Sequence, residues 1–211
     1  MKQATSNNRR LSITAQNVSK RFGRNWVIRD FTDAFRSGER VGIRGRNGSG
    51  KSTLLRMLCG QLTPSRGKLD FILNDKAVRT ADFYRYVSWT GPYLEIVEEL
   101  SIADFIRFHF GLKPLREGLK PADVPALLEL DHVRNRKLSD CSSGMRQRVL
   151  LGSALYAATP LLILDEPTVT LDEAAVSWFH AQLTEHGAGR LVFVASNDAD
   201  DLAGCARVID L

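Results

Sequence analysis

The sequence predicts an α/β fold built on a mostly parallel sheet with helices on both faces, and three observations predict it. A strand at residues 39–43 runs into Gly45-Arg46-Asn47-Gly48-Ser49-Gly50-Lys51-Ser52-Thr53, and a helix-forming stretch leaves it. Two uninterrupted apolar runs, Leu161-Leu162-Ile163-Leu164 and residues 191–195, have the composition of strands buried on both faces. Short strands alternate with helical spacings around the glycine-rich segment, which is the pattern of a parallel sheet.

The first ten residues are polar and basic, lack the apolar core of a secretory signal, and read as a frayed tail. Residues 11–21 alternate as a strand does, and residues 27–35 form a second strand after a turn at 23–25. The glycine-rich loop follows, with its helix through Leu54, Leu55, Met57 and Leu58. Residues 67–73 and 84–89 are further short strands, with turn chemistry at Pro64-Ser65-Arg66-Gly67. From Ser101 to about Ala158 the character becomes helical. Ile102, Phe105, Ile106 and Phe108 recur at helical spacing, residues 122–130 form a second helix, and residues 143–157 a third. Thr159-Pro160 ends that block. A buried strand at 161–164, a helix at 173–185, a buried strand at 191–195 and a last strand at 207–211 complete the chain. The expectation is one domain over residues 1–211 with a helical subdomain inserted at about 100–158.

A chain of 211 residues with a net charge of +5 can bury a real core. The positive charge is scattered, and its densest run, Arg134-Asn135-Arg136-Lys137, is short. That pattern fits a solvated surface, and no direct nucleic-acid partner is expected. The three cysteines, Cys59, Cys141 and Cys205, lie far apart without metal-ligand spacing and read as reduced thiols. No stretch approaches the ~20 apolar residues that span a bilayer. The chain is expected to be cytoplasmic, reaching a membrane only through a partner.

The glycines of residues 45–53 let the backbone wrap a phosphate so that successive N–H groups face its oxygens, and the following helix adds its positive end. Lys51 would neutralise the outer phosphates of a nucleoside triphosphate, and the Ser52 hydroxyl would sit on Mg²⁺. The apolar strand at 161–164 ends in Asp165-Glu166. Neighbouring residues at a strand end point to opposite sides, so the two acids take different work. Asp165 would hold the metal opposite Ser52, and Glu166 would orient and deprotonate the attacking water.

Cys141-Ser142-Ser143-Gly144-Met145-Arg146-Gln147-Arg148 opens a helix with a hydroxyl and bare glycine backbone at its N-terminus, a second anion site. This segment resembles the signature motif of the ATP-binding-cassette (ABC) ATPases, and the resemblance extends from about Leu11 to Leu211. It implies the ABC ATPase fold: a phosphate-loop core, an N-terminal antiparallel β-subdomain and an inserted helical subdomain. It implies ATP hydrolysis by a head-to-tail homodimer, or a pseudo-dimer with a second cassette. Each ATP would lie between residues 45–53 of one chain and Ser142, Ser143, Gly144 and Met145 of the other. Phe22 falls where the family stacks an aromatic on adenine, and the competing reading is a core phenylalanine. Asp172, in Pro167-Thr168-Val169-Thr170-Leu171-Asp172, would face the partner cassette. The compact length is similar to the short cassettes of two-component exporters, haem-exporter-like ATPases among them. Such a cassette drives a separate integral-membrane subunit from the inner face of the membrane, and the acidic run Glu95, Glu98, Glu99 would meet basic residues of that subunit.

Two departures from the family pattern stand out. No glutamine occurs between Gln61 and Gln147, where the family senses metal and water; Trp89 falls near the place, with Thr90 or Glu95 as polar substitutes. Asn197 stands where the family has a switch histidine. An asparagine amide donates a hydrogen bond but is shorter and never cationic, so slow turnover is expected. Cys141 precedes the serine that would touch nucleotide. It reads either as a thiol at the closing interface, open to maleimide and protected by ATP, or as a small buried thiol under the helix. Two other functions stay open: a regulatory nucleotide-binding subunit with little hydrolysis, and a soluble ABC ATPase outside transport. Phosphate release separates the first, and co-purification with a membrane protein the second.

Overall fold

The computed structural model describes residues 10–92 and 94–211; the expected N-terminal tail at residues 1–9, and Tyr93, lie outside the described residues. In chain order the elements begin with β1 (Leu11–Phe22) and β2 (Asn25–Arg36), an antiparallel hairpin turning at Gly23. β3 (Arg40–Arg44) leads through the glycine-rich loop into α1 (Lys51–Leu58). β4 (Arg66–Leu73) and the short β5 (Lys76–Ala77) pair antiparallel, so one sheet has the order β2-β1-β4-β5. A single turn, α2 (Thr80–Phe83), precedes β6 (Val87–Thr90).

The helical stretch contains α3 (Ile102–Leu112), α4 (Val124–Leu127) and α5 (Ser143–Leu155). Then come β7 (Leu161–Asp165), α6 (Glu173–Gly187), β8 (Leu191–Ala195), the one-turn α7 (Ala199–Leu202) and β9 (Arg207–Asp210). The second sheet runs β6-β7-β8-β3-β9, parallel where β7, β8, β3 and β9 pair. All five residues of both β7 and β8 are buried, as their unbroken apolar sequences require.

The chain divides into two compact units. One contains both sheets, α1 and α7, from residues 10–89, Thr159–Glu166 and Gly189–Leu211. Its core joins Leu54, Leu55 and Met57 of α1 to Ile43, Ile163 and Phe193. Phe35 of β2 meets Phe193 edge-on at 4.8 Å, and Phe71 stacks on Phe83 at 4.1 Å. The other unit comprises Thr90–Ala158 and Pro167–Ala188, and so takes in α6 as well as the expected helical block. There α5 packs on α3 and α6.

Two local expectations are corrected. Residues 122–130 form only the single turn of α4, because Glu129 turns left-handed at φ 59°. Leu130 N then donates to Pro125 O and Glu129 N to Ala126 O, a paired bond that closes the helix end. Tyr84–Tyr86 is a 3₁₀ turn and not strand; the strand starts at Val87 once Phe83 has been buried. Within α3, Ile102, Phe105 and Ile106 face the core while Phe108 is exposed.

Candidate functional site

The glycine-rich loop is shaped by what its glycines lack. A Cβ on Gly45 would lie 2.5 Å from Ser49 Oγ and 2.7 Å from Leu211 O. Gly50 sits at φ 110°, which L side chains avoid. With Gly50 at the N-cap, α1 has no side-chain cap, so its first N–H groups are left to an anion. Asn47 and Arg46 are exposed on the loop, and Thr53 lies in the first turn of α1.

Lys51 is 6 % exposed, and its Nζ donates to Gly45 O at 2.7 Å and Asn197 Oδ1 at 3.2 Å. It also forms an ion pair with Glu166 Oε1 at 3.1 Å. An ammonium has three protons, and these are its three partners. Glu166 follows β7 at φ 49°, an uncommon conformation for a residue with a Cβ, held by its N–H donating to Ala195 O. Ser196 Oγ donates to Glu166 Oε2 at 3.4 Å and accepts from Asp198 N at 3.0 Å. Sequence reading missed Ser196; its only signal is its place beside Asn197.

Asp165, one residue earlier, is 2 % exposed and its Oδ1 has no hydrogen-bond partner among the described residues. Burial lifts its carboxyl above the ordinary carboxylate range; a hydrogen bond from Ser52 opposes this, Glu166's charge adds to it and Lys51's charge opposes it. A buried carboxylate oxygen without a proton donor, next to a serine hydroxyl, is a hard-oxygen pair of the kind Mg²⁺ takes. Phe22 is 52 % exposed at the end of β1, with Lys20 Nζ 5.4 Å from its ring centroid, so the core-phenylalanine reading falls.

Gly45 to Thr53, Phe22, Asp165, Glu166 and Asn197 therefore share one unit. Ser142, Ser143, Gly144, Met145 and Asp172 lie in the other. There Ser142 Oγ accepts from Met145 N at 3.2 Å and caps α5, while Asp172 Oδ1 accepts from Ala175 N at 2.8 Å and caps α6. Ser142 and Ser143 are both exposed at this helix start. Gln147, 8 % exposed, donates to Pro167 O at 2.8 Å and ties α5 to the segment leading to Asp172, a link sequence reading missed.

Two expectations change here. Cys141 is 6 % exposed, its thiol donates to Lys137 O, and burial raises its pKa, so the buried-thiol reading holds. Glu98 pairs with Arg146 of its own chain at 3.0 Å. Of the two polar residues near the expected glutamine, Glu95 is exposed, while Thr90 is fully buried with an unpartnered hydroxyl among the described residues.

A phosphate cradle whose lysine faces a carboxylate at the end of another parallel strand of the same sheet defines a nucleoside-triphosphate-binding protein. Residues 28–169 match the model of the ABC transporter family, and the chain belongs to that family. Over 193 residues it is 31% identical to the cytochrome c biogenesis ATP-binding export protein CcmA of Agrobacterium fabrum, covering 89% of each chain. Over 210 residues it is 31% identical to the sulfate/thiosulfate import ATP-binding protein CysA of Yersinia pestis, covering 94% of this chain and 57% of that relative. The chain thus spans little more than half the length of that importer subunit. A solved structure of the ATP-binding subunit of an ABC transporter superposes with a TM-score of 0.78 at 26% identity, covering 94% of this chain and 85% of the other. The chain is an ATP-binding, ATP-hydrolysing subunit of an ABC transporter. No helix among the described residues is long and apolar enough to cross a membrane.

Proposed function

We propose that residues 1–211 form a single cassette that works as a head-to-tail dimer and hydrolyses ATP slowly to drive a separate integral-membrane subunit from the cytoplasmic face. The observation that carries the reading is the cluster around Lys51: an ion pair to Glu166 at 3.1 Å, beside a buried Asp165 oxygen without a partner. Gly45, Arg46, Asn47, Gly48, Ser49, Gly50 and Thr53 wrap the phosphates with backbone N–H groups, and Phe22 stacks on adenine. Ser52 and Asp165 would hold Mg²⁺, which would supply charge neutralisation for the phosphates. Lys51 moves from Glu166 onto those phosphates, and the released Glu166 takes the proton of the attacking water. Asn197 donates to the terminal phosphate.

The exposed start of α5, with Ser142, Ser143, Gly144 and Met145, offers its N–H groups to the ATP held by the second copy, and Asp172 lies at the same interface. Binding then draws two copies together, and phosphate release loosens them. The 89% mutual coverage with the CcmA relative supports a short export-type cassette working with a separate membrane subunit.

Phosphate release at saturating Mg-ATP, with Glu166→Gln as control, tests the chemistry. Size-exclusion chromatography of Glu166→Gln with Mg-ATP tests the clamp: a strictly monomeric peak sinks it. Detergent co-purification with a hydrophobic protein tests the transport partner.

A further inference from the structure

Asn197 is held from two sides. Its Oδ1 accepts from Lys51 Nζ at 3.2 Å, and its Nδ2 donates to Asn47 Oδ1 at 2.9 Å. Both asparagines are exposed, yet they meet across 150 positions of sequence. A planar amide bonded at both ends loses the freedom to flip. The oxygen is committed to the lysine, and one of the two Nδ2 protons to the loop. The second Nδ2 proton is left over from these two bonds.

We propose that Asn47 is a positioning residue for hydrolysis: its side-chain carbonyl orients the Asn197 amide so that the remaining Nδ2 proton meets the terminal phosphate. The inference rests on the hydrolytic reading given above. It explains how a short neutral amide serves at this place. Without Asn47, Lys51 alone would choose the orientation, and Lys51 leaves its present partners when a triphosphate enters. Asn47 is the one of the two partners that stays.

A loop residue that only shaped the phosphate cradle would act on nucleotide binding, whereas a positioning residue acts on turnover and only through Asn197. The test uses wild type, Asn47→Ala, Asn197→Ala and the double variant. For each, kcat and KM for Mg-ATP are measured, along with the ¹⁵N side-chain amide resonances of the nucleotide-free proteins. One hydrogen bond of this type corresponds to about a fivefold effect on rate. Asn47→Ala is therefore expected to lower kcat about fivefold with KM changed by less than about twofold. In the Asn197→Ala background it should cost nothing further, the non-additivity of residues acting as one unit. The Asn197 amide resonance should move toward the free-amide position in Asn47→Ala and stay away from it in Asn47→Asp, which keeps an acceptor. Losses that multiply, a change in KM instead of kcat, or an Asn197 resonance indifferent to Asn47→Ala would each overturn the proposal. A wild type that releases no phosphate overturns the hydrolytic reading and this one with it; turnover with independent effects overturns this one alone.

Discussion

Lys51 Nζ stands 3.1 Å from Glu166 Oε1, so the proposed phosphate-binding cation is paired with the proposed general base. The pair is sheltered, with the lysine side chain 6% and the glutamate side chain 24% exposed. Two consequences follow from one contact. The carboxylate compensates the charge of a buried lysine, and on the proposed mechanism ATP competes with it for Lys51, freeing Glu166 only when there is a phosphate to attack. Replacing Glu166 by Gln should cut phosphate release about a hundredfold or more by removing the base. The same change removes the charged competitor for Lys51, so a fluorescent ATP analogue should bind about three- to tenfold more tightly, the value of a partly buried ion pair. Weaker binding with unchanged turnover would contradict both halves.

On the proposed mechanism Asn197 gives a hydrogen bond to the terminal phosphate, and its Nδ2 donates to the loop residue Asn47. A histidine there reaches further and can carry charge. Asn197→His should raise kcat about tenfold, and Asn197→Ala should lower it, since one good transition-state donor is typically worth about a hundredfold or more. Steady-state phosphate release on the three proteins decides it. A histidine variant no faster than wild type would mean that the asparagine pair is already a full substitute.

Much of this was readable because it is local. The glycine-rich loop, the Asp165-Glu166 strand end and the start of α5 are contiguous segments whose residue types are imposed by backbone geometry. What could not be read depends on pairing across the chain. The buried guanidinium of Arg190 donates to Ser88 Oγ at 2.5 Å and Thr159 Oγ1 at 2.7 Å, three residues from three distant segments that satisfy one another inside the sheet unit. Sequence spacing likewise scattered the positive charge that the antiparallel sheet collects. Arg21, Arg29 and Arg66 lie 5.7, 6.0 and 5.0 Å from the ring centroid of Trp26, because β1 pairs Arg21 with Trp26 on one side and Ser19 with Arg66 on the other. The positive φ of Glu166 and of Glu129 leaves no composition signal, since glutamate is not a residue that favours it. The sequence pattern therefore predicts a longer α4 than forms, and carries no sign of how Glu166 is aimed.

The two adjacent serines at the start of α5 divide the work. Ser142 Oγ caps the helix by accepting from Met145 N, a bond in which Ser143 takes no part. Ser142→Ala should therefore cost about 1 kcal/mol of stability, the usual value of an N-cap. In a chain of this size that is a fall of about 2–4 °C in Tm. Ser143→Ala should leave Tm unchanged and lower ATP turnover, if its hydroxyl serves the nucleotide of the partner copy. Thermal unfolding beside phosphate release resolves the two roles, and equal effects of the two variants on Tm would refute the division.

His109 gives the helical unit a dependence on pH. The ring stacks at 6.0 Å from Phe105 and meets Phe110 edge-on at 4.9 Å, and its Nε2 is buried without a partner among the described residues. Burial holds its pKa below the ordinary 6.5, the charge of Lys113 adds to this, and a backbone hydrogen bond at Ser153 opposes it. The unfolded chain therefore binds this proton more readily than the folded one. Stability from the neutral ring is complete above about pH 6.5 and is lost as pH falls through the lower, folded pKa. The Tm of the nucleotide-free protein should drop between about pH 7.5 and about pH 5.5. His109→Phe keeps the aromatic packing and removes the proton, so its Tm should fall less over the same interval. Parallel Tm curves for wild type and His109→Phe would remove His109 from the account and leave acid sensitivity to other groups.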